Sequence, residues 1–420
     1  MKIKTEKADA AYVMSLPGIK HDKPVKQKAF FRALVNAVSK KELSEVGFTY
    51  DAKGFEDVGD EPCLVLMNHS CFLDLKMAFK MMAKRPFNII CTSDGFVGKK
   101  KLMYSLGCVP TEKFVSDYSL VRDMKYVLNE LHSSVLMYPE ASYSFDGTAT
   151  PLPDSVGSLI KLLKVPVVVV LTKGAFLHDP LYNGLRLRKV SVSAKTELAF
   201  TKQDAQTMTA EQINEKLKEL FSFDNFAYQK EAGITVDEPF RAEGLERVLY
   251  KCACCGAEGK MKGSGEDITC GACGKTYRLR EDGQLEAKDG VTEYPHIPDW
   301  FRWQRRDVRE QIEDGKYRLD MKVGIRVMTD MKAVYEVGDG RLIHDENGFI
   351  LHSDDGVISY SQSPVAAYSV YADYFWYELG DMICIGDKKK LFYCFPKDQS
   401  VPVAKIRLAA EEMFKLKKKK

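Results

Sequence analysis

Long apolar runs are missing from this chain of 420 residues. No window approaches 18 consecutive apolar residues, which excludes a membrane-spanning helix. The leading residues, Met1 to Asp9, are charged and have no apolar core, so they do not read as a signal peptide. The expected location is cytoplasmic, peripheral at a membrane face. Charge of one sign is also missing: 62 Lys and Arg against 59 Asp and Glu leave a formal +3. That excludes a broad basic field, and nucleic acid is not an expected partner. What basic excess exists is local, in Lys415 and Lys417 to Lys420, a solvated end that could also attract anionic lipid headgroups. Tryptophan is scarce, and Trp300, Trp303 and Trp376 read as core. A disulfide frame is absent too, because four of the 11 cysteines have metal-ligand spacing and the others are scattered, several in apolar strands. The length is too great for one ordinary core and implies two or three domains.

The stretch that organises the chain is 63–76. Cys63 to Met67 reads as a buried strand that breaks at Asn68 and feeds a helix from about Cys71. The pattern is that of an α/β core with chemistry at the carboxyl end of a strand. His69 falls in the turn and Asp74 in the first helical turn, where a carboxylate can fix the imidazole tautomer and support the charge formed when the other nitrogen takes a proton. The plain alternative is a helix-capping Asn and Ser beside an incidental histidine.

Three later stretches join this one in an order that resembles the glycerol-phosphate and lysophospholipid acyltransferases. Asn68-His69-Ser70 with Asp74 is similar to that family's first block. Leu106 to Lys113 is similar to the second, Tyr138-Pro139-Glu140-Ala141-Ser142-Tyr143-Ser144 to the third, and Val165-Pro166 with the run Val167 to Leu171 to the fourth. The resemblance covers roughly residues 25–225. It implies an α/β domain with a mixed sheet and transfer of an acyl group from acyl-CoA or acyl carrier protein to a hydroxyl of a lysophospholipid or glycerol-phosphate-like acceptor. It implies His69 as general base with Asp74 as its partner. Asn68, Ser70, Lys113, Glu140, Ser142 and Ser144 are implied at the acceptor site. Two positions depart from the third block, Ala141 standing for a glycine and Tyr143 for an arginine. Neither can hold a phosphate bidentately, so the departure bears on the acceptor's identity.

Around these blocks the chain reads as an arm at 1–24, the acyltransferase-like domain at 25–225 and a linker at 226–248. A zinc ribbon follows at 249–283, then a β-rich domain at 295–420 with a C-terminal helix and lysine tail. Lys26 to Val46 is expected to be helical, with Phe30, Phe31, Leu34, Val35 and Val38 on one face, either packed on the core or laid in a lipid interface. Strands are expected at Phe87 to Thr92 and Val190 to Thr196, and helices at Asp117 to His132, Asp154 to Leu163 and Thr209 to Phe221. Lys99, Lys100 and Lys101 read as surface, with a phosphate-binding role as the alternative.

Cys252, Cys255, Cys270 and Cys273 form two C-x2-C pairs, each followed by a glycine. Four thiolates closing a tetrahedron imply a structural Zn²⁺ with no position left for water. Cys254 is the spare. The ribbon's Lys and Arg are offset by Glu and Asp, which favours bracing or partner docking over nucleic acid. Beyond Pro295, short alternating runs include Tyr317 to Met328, Lys332 to Val337, Val365 to Tyr371, Phe375 to Leu379 and Leu391 to Phe395. They imply about seven antiparallel strands capped by a helix at Val403 to Leu416, an outline that resembles the pleckstrin-homology architecture.

The expected activity is thus acyl transfer in phospholipid synthesis or remodelling, with no covalent enzyme intermediate and with backbone amides after His69 steadying the oxyanion. The alternatives are a non-catalytic lipid-binding relative, or a zinc-ribbon adaptor that docks a protein or nucleic acid.

Overall fold

The computed structural model describes residues 2–115, 117–398 and 400–418. Met1 of the charged start and Lys419 and Lys420 of the basic tail lie outside them.

The first sheet has seven strands in the order 49–51, 193–200, 167–173, 64–67, 134–137, 87–92, 108–111. All neighbours are parallel except 167–173 and 193–200, so the sheet is mixed. Leu64–Met67 is fully buried and sits fourth of seven, between the valine-rich strand Val167–Lys173 and Ser134–Met137. β-branched residues fit such a strand because both of its faces are covered. Helix Tyr118–Asn129 buries Met124, Val127 and Leu128 and starts at Asp117, whose carboxylate accepts from Ser119 N–H. Helix Ser155–Leu163 ends where Lys164 turns left-handed at φ 56°. Helix Ala210–Leu220 starts in a reciprocal Thr209/Gln212 capping box.

Several expected elements shift. The helix expected from Lys26 begins at Ala29, because the Gln27 amide is pinned to the Leu106 carbonyl at 3.1 Å. It buries Ser39 and Leu43 and leaves Phe30, Leu34 and Val38 exposed. The strand expected at 190–196 runs Ser193–Phe200 instead.

The second sheet is the ribbon, four antiparallel strands in the order 285–287, 276–279, 267–270, 261–264. The third is an antiparallel half-barrel in the order 359–362, 348–353, 334–345, 319–328, 391–396, 382–386, 371–373. Thr5–Lys7 adds to it in parallel against Val334 to Glu336. The strand expected at Phe375 to Leu379 is a turn with Phe375, Tyr377 and Glu378 at positive φ. Here the ladder yields to a contact with the first sheet's region: Trp376 turns its Nε1–H to Asp94 Oδ2 at 3.2 Å and to the Tyr371 hydroxyl at 3.1 Å. Of the strand expected at Val365 to Tyr371 only Tyr371 lies in one, the short strand Tyr371–Asp373.

One apolar cluster runs through all three regions, from Phe145 and Phe176 of the first through Cys252 and Tyr277 of the ribbon to Trp300, Val323 and Ile406. Helix Ile297–Glu313 lies beside helix Val403–Lys418. Ion pairs fasten the ribbon to both, from Lys251 to Asp307 at 2.6 Å and from Lys405 to Glu258 at 2.6 Å. Among the described residues, no helix is long and apolar enough to cross a membrane.

Candidate functional site

His69 leaves the carboxyl end of the central strand, and helix Leu73–Met81 starts four residues later. This short turn brings His69 Nδ1 to 2.9 Å from Asp74 Oδ2. The same oxygen accepts from Ser70 N–H at 2.7 Å and Cys71 N–H at 3.1 Å. Asp74 is fully buried, so three donors converge on one carboxylate oxygen away from water. Those two amides are engaged by Asp74, which removes them from the oxyanion role expected of the turn after His69.

Burial holds the His69 imidazole below its ordinary range; the bond and charge of Asp74 pull it up, and Lys113 adds to the lowering. Burial thus favours the neutral ring, in which Nδ1–H donates to Asp74 and Nε2 has no hydrogen-bond partner among the described residues. Tyr138 stacks on it and Tyr143 packs against it tilted by 32°, each with its centroid 4.0 Å away. No pattern in the sequence signals this sandwich.

The remaining candidates divide by what they hold. Glu140 Oε2 accepts from His69 N–H at 2.9 Å, and Oε1 from Thr150 N–H at 2.9 Å and Oγ1 at 3.1 Å. Burial pushes this carboxyl up to about 7 against those hydrogen bonds. Asn68 Oδ1 accepts from Thr172 N–H at 2.8 Å, and its amide reaches the Ser70 hydroxyl at 3.3 Å. Ser144 donates its hydroxyl to the Thr148 carbonyl at 2.6 Å and its N–H to the His69 carbonyl at 3.3 Å. These groups fix the loop around His69. Ser142 differs, since its hydroxyl is buried without a partner among the described residues. Ala141 holds φ at 55°, a left-handed conformation that glycine adopts freely.

Lys113 lies near Tyr143 and within electrostatic reach of His69. Its ammonium is 5.9 Å from that ring centroid and 4.1 Å from Tyr371. Burial lowers the ammonium while Asp373 and Asp94 raise it, and burial pushes the Asp373 carboxyl up to about 7. Tyr371 and Asp373 belong to the half-barrel sheet, which therefore closes one flank of the site. Arg407 comes from the C-terminal helix and donates Nη1–H to the Tyr143 carbonyl at 3.1 Å. None of these C-terminal neighbours carries a local sequence signal.

In the ribbon, Sγ of Cys252 and Cys273 are 3.8 Å apart, as are those of Cys255 and Cys270. All four sulfurs lie within 4.8 Å of one another, and Cys254 is outside the set. A tetrahedron with metal–sulfur bonds of about 2.3 Å has edges of roughly 3.8 Å, so the four thiols fit one ion. They are too far apart for disulfides, whose sulfurs lie ~2 Å apart.

No family model matches the chain, and no curated protein matches it significantly. Among solved structures, the 1-acyl-sn-glycerophosphate (LPA) acyltransferase PlsC from Thermotoga maritima is similar over 45% of this chain and 76% of its own, with 16% identity and a TM-score of 0.36.

Proposed function

We propose that the protein transfers an acyl group from an acyl thioester, acyl-CoA or acyl carrier protein, to a hydroxyl of a lysophospholipid or glycerol-phosphate-like acceptor. It would thus act like a 1-acylglycerol-3-phosphate O-acyltransferase. The observation that carries this reading is the buried His69, its Nδ1 bound to Asp74 and its Nε2 without a hydrogen-bond partner among the described residues. His69 Nε2 takes the acceptor hydroxyl's proton as that oxygen attacks the thioester carbonyl. Collapse of the tetrahedral intermediate expels the thiolate, which takes the proton back from the imidazolium. The oxygen–carbon bond forms, the carbon–sulfur bond breaks, and the imidazole ends neutral. Asp74 holds the tautomer and supports the transient positive charge. Asn68, Ser70, Glu140 and Ser144 shape the acceptor loop, Ser142 presents a hydroxyl, and Lys113 supplies a cation near Tyr143.

Cys252, Cys255, Cys270 and Cys273 hold a structural Zn²⁺ in this reading, bracing the helices that back the site. The exposed Phe30, Leu34 and Val38 support peripheral contact with a membrane. A second reading, a non-catalytic lipid binder, draws on the Tyr138 and Tyr143 rings that cover both faces of His69.

The test is thiol release from an acyl thioester with a panel of lysophospholipid and non-phosphorylated acceptors. Acceptor-dependent release that falls by ~10²–10⁴ in His69→Ala is expected. Near-normal turnover in that variant would overturn the mechanism, and stoichiometric lipid binding without turnover would favour the second reading.

A further inference from the structure

A cavity of about 620 Å³ lies where the acyltransferase-like domain meets the two C-terminal helices. One wall is the loop that includes Thr148 and Thr150; the other carries Arg302, Arg305, Arg407 and Lys415. Three of these four cations, with Arg309, share two buried carboxylates. Arg305 pairs with Glu411 at 2.7 Å and Glu412 at 3.0 Å, Arg407 with Glu411 at 3.2 Å, and Lys415 with Glu412 at 2.7 Å. Arg309 reaches Glu412 at 3.4 Å and also has Glu313. Cations outnumber carboxylates at the shared pair, and Arg302 adds another at the rim, paired there with Asp299.

Two carboxylates also line the cavity, each already hydrogen-bonded and each within electrostatic reach of one arginine, Asp224 of Arg302 and Asp146 of Arg305. Asp224 is held by His296 at 2.7 Å, and Asp146 accepts from Thr148, with burial raising its carboxyl. Donors remain over: Arg305 uses only Nη1, and Arg407 uses Nε and Nη1, so Arg305 Nε and Nη2 and Arg407 Nη2 have no hydrogen-bond acceptor among the described residues. Unengaged guanidinium edges in a partly buried, cation-rich cavity suit a phosphate, whose oxygens accept several charge-assisted hydrogen bonds at once.

The cavity shares its wall with the His69 site. Thr150 donates to Glu140, which accepts His69 N–H, and Arg407 donates to the carbonyl of Tyr143, whose ring packs against His69. We infer that this cavity is an anion subsite, built by the C-terminal helices, that binds the phosphate-bearing end of a substrate of the neighbouring His69 centre. The affinity for phosphate stands on the cavity alone; the word substrate rests on the acyltransferase reading.

The test is calorimetric titration of the zinc-loaded full chain with coenzyme A and with glycerol 3-phosphate, using pantetheine and glycerol as unphosphorylated controls. The rim variant Arg302→Glu/Lys415→Gln alters two half-exposed side chains, and Arg407→Lys keeps the charge beside Glu411 while removing the fork. With the fold checked by thermal melting, each should weaken phosphate-ligand binding roughly tenfold or more, the usual scale for a lost charge-assisted bidentate contact. Binding should also weaken as salt rises. Selective binding of coenzyme A marks a donor subsite, and of glycerol 3-phosphate an acceptor subsite; either supports the inference. It is overturned if neither phosphate ligand binds below about 1 mM, if the unphosphorylated controls bind as well, or if both variants fold and bind like wild type. Binding that persists in a chain showing no acyl transfer would leave the subsite standing and remove only the acyltransferase reading.

Discussion

Asparagine at position 74 is isosteric with the aspartate it replaces but uncharged. In many histidine–carboxylate pairs that substitution turns the amide nitrogen toward the imidazole and imposes the wrong tautomer, at a cost near ~10⁴ in kcat. Here the oxygen facing His69 also accepts from Ser70 N–H at 2.7 Å and Cys71 N–H at 3.1 Å. Two fixed backbone donors therefore select the amide oxygen for that position and send the NH2 toward the site of Oδ1, which has no partner among the described residues. The tautomer survives and only the charge is lost. A unit charge pair at ~4 Å is worth about 4 kcal/mol at an effective dielectric of ~20. The amide dipole retains part of this, leaving ~2–3 kcal/mol of lost transition-state stabilisation, or roughly 30–150-fold in kcat. The pH profile supplies an independent sign. The base form of His69 is required, so the rate rises with pH through its pKa, which burial already places below the ordinary 6.5. The bond and charge of Asp74 raise that value, so Asp74→Asn lowers it further and moves the rise to more acidic pH. Thiol release from pH 4.5 to 8, with NMR titration of the His69 ring, reads both effects. A loss of less than about threefold in kcat would refute the charge-stabilisation argument, and an upward shift of the midpoint would refute the assignment of Asp74 as the partner that raises it.

If the four-cysteine cluster holds the proposed ion, elemental analysis should find one Zn²⁺ per chain. Chelation should lower the melting temperature by roughly 10 °C, since a loss of several kcal/mol shifts a domain of ~200 residues by ~2–4 °C per kcal/mol. Ala141→Gly should stabilise the protein by ~0.5–1 kcal/mol in denaturant titration, because relief of the left-handed strain exceeds the added chain entropy; a destabilisation would show that the alanine methyl makes a contact of greater worth. Replacing Phe30, Leu34 and Val38 together with serine should abolish sedimentation with anionic vesicles and leave the melting temperature unchanged, as all three are exposed. Retained vesicle binding would assign membrane contact to another face.

The elements legible in the sequence are those whose period or spacing is local. Phe87–Thr92 has the expected bounds, Leu64–Met67 starts one residue inside its expected bound, and helix Ser155–Leu163 follows its apolar spacing. The four cysteines are legible because C-x2-C spacing is itself the chemistry of a metal knuckle. His69 and Asp74 meet as expected because five residues of strand-to-helix turn leave little freedom. The surroundings were hidden because they arise from docking between regions. The Tyr138 and Tyr143 sandwich needs two rings from one loop to close on a histidine from another. Trp376 abandons a strand because Asp94, in the first sheet's region, offers a buried acceptor. Arg407 reads in sequence as a polar residue in an amphipathic helix, and only the fold brings it to the carbonyl of Tyr143.

The pairing of Thr5–Lys7 with Val334–Glu336 joins segments separated by about 330 residues. On a ribosome adding ~5–20 residues per second, the first strand waits roughly 15–65 s for its partner to be made. The sequential route in which each region matures as it emerges is thus closed to the half-barrel's parallel edge. Thr5–Lys7 stays without this partner until Val334–Glu336 has been made, so the contact cannot guide the folding of the regions synthesised between them.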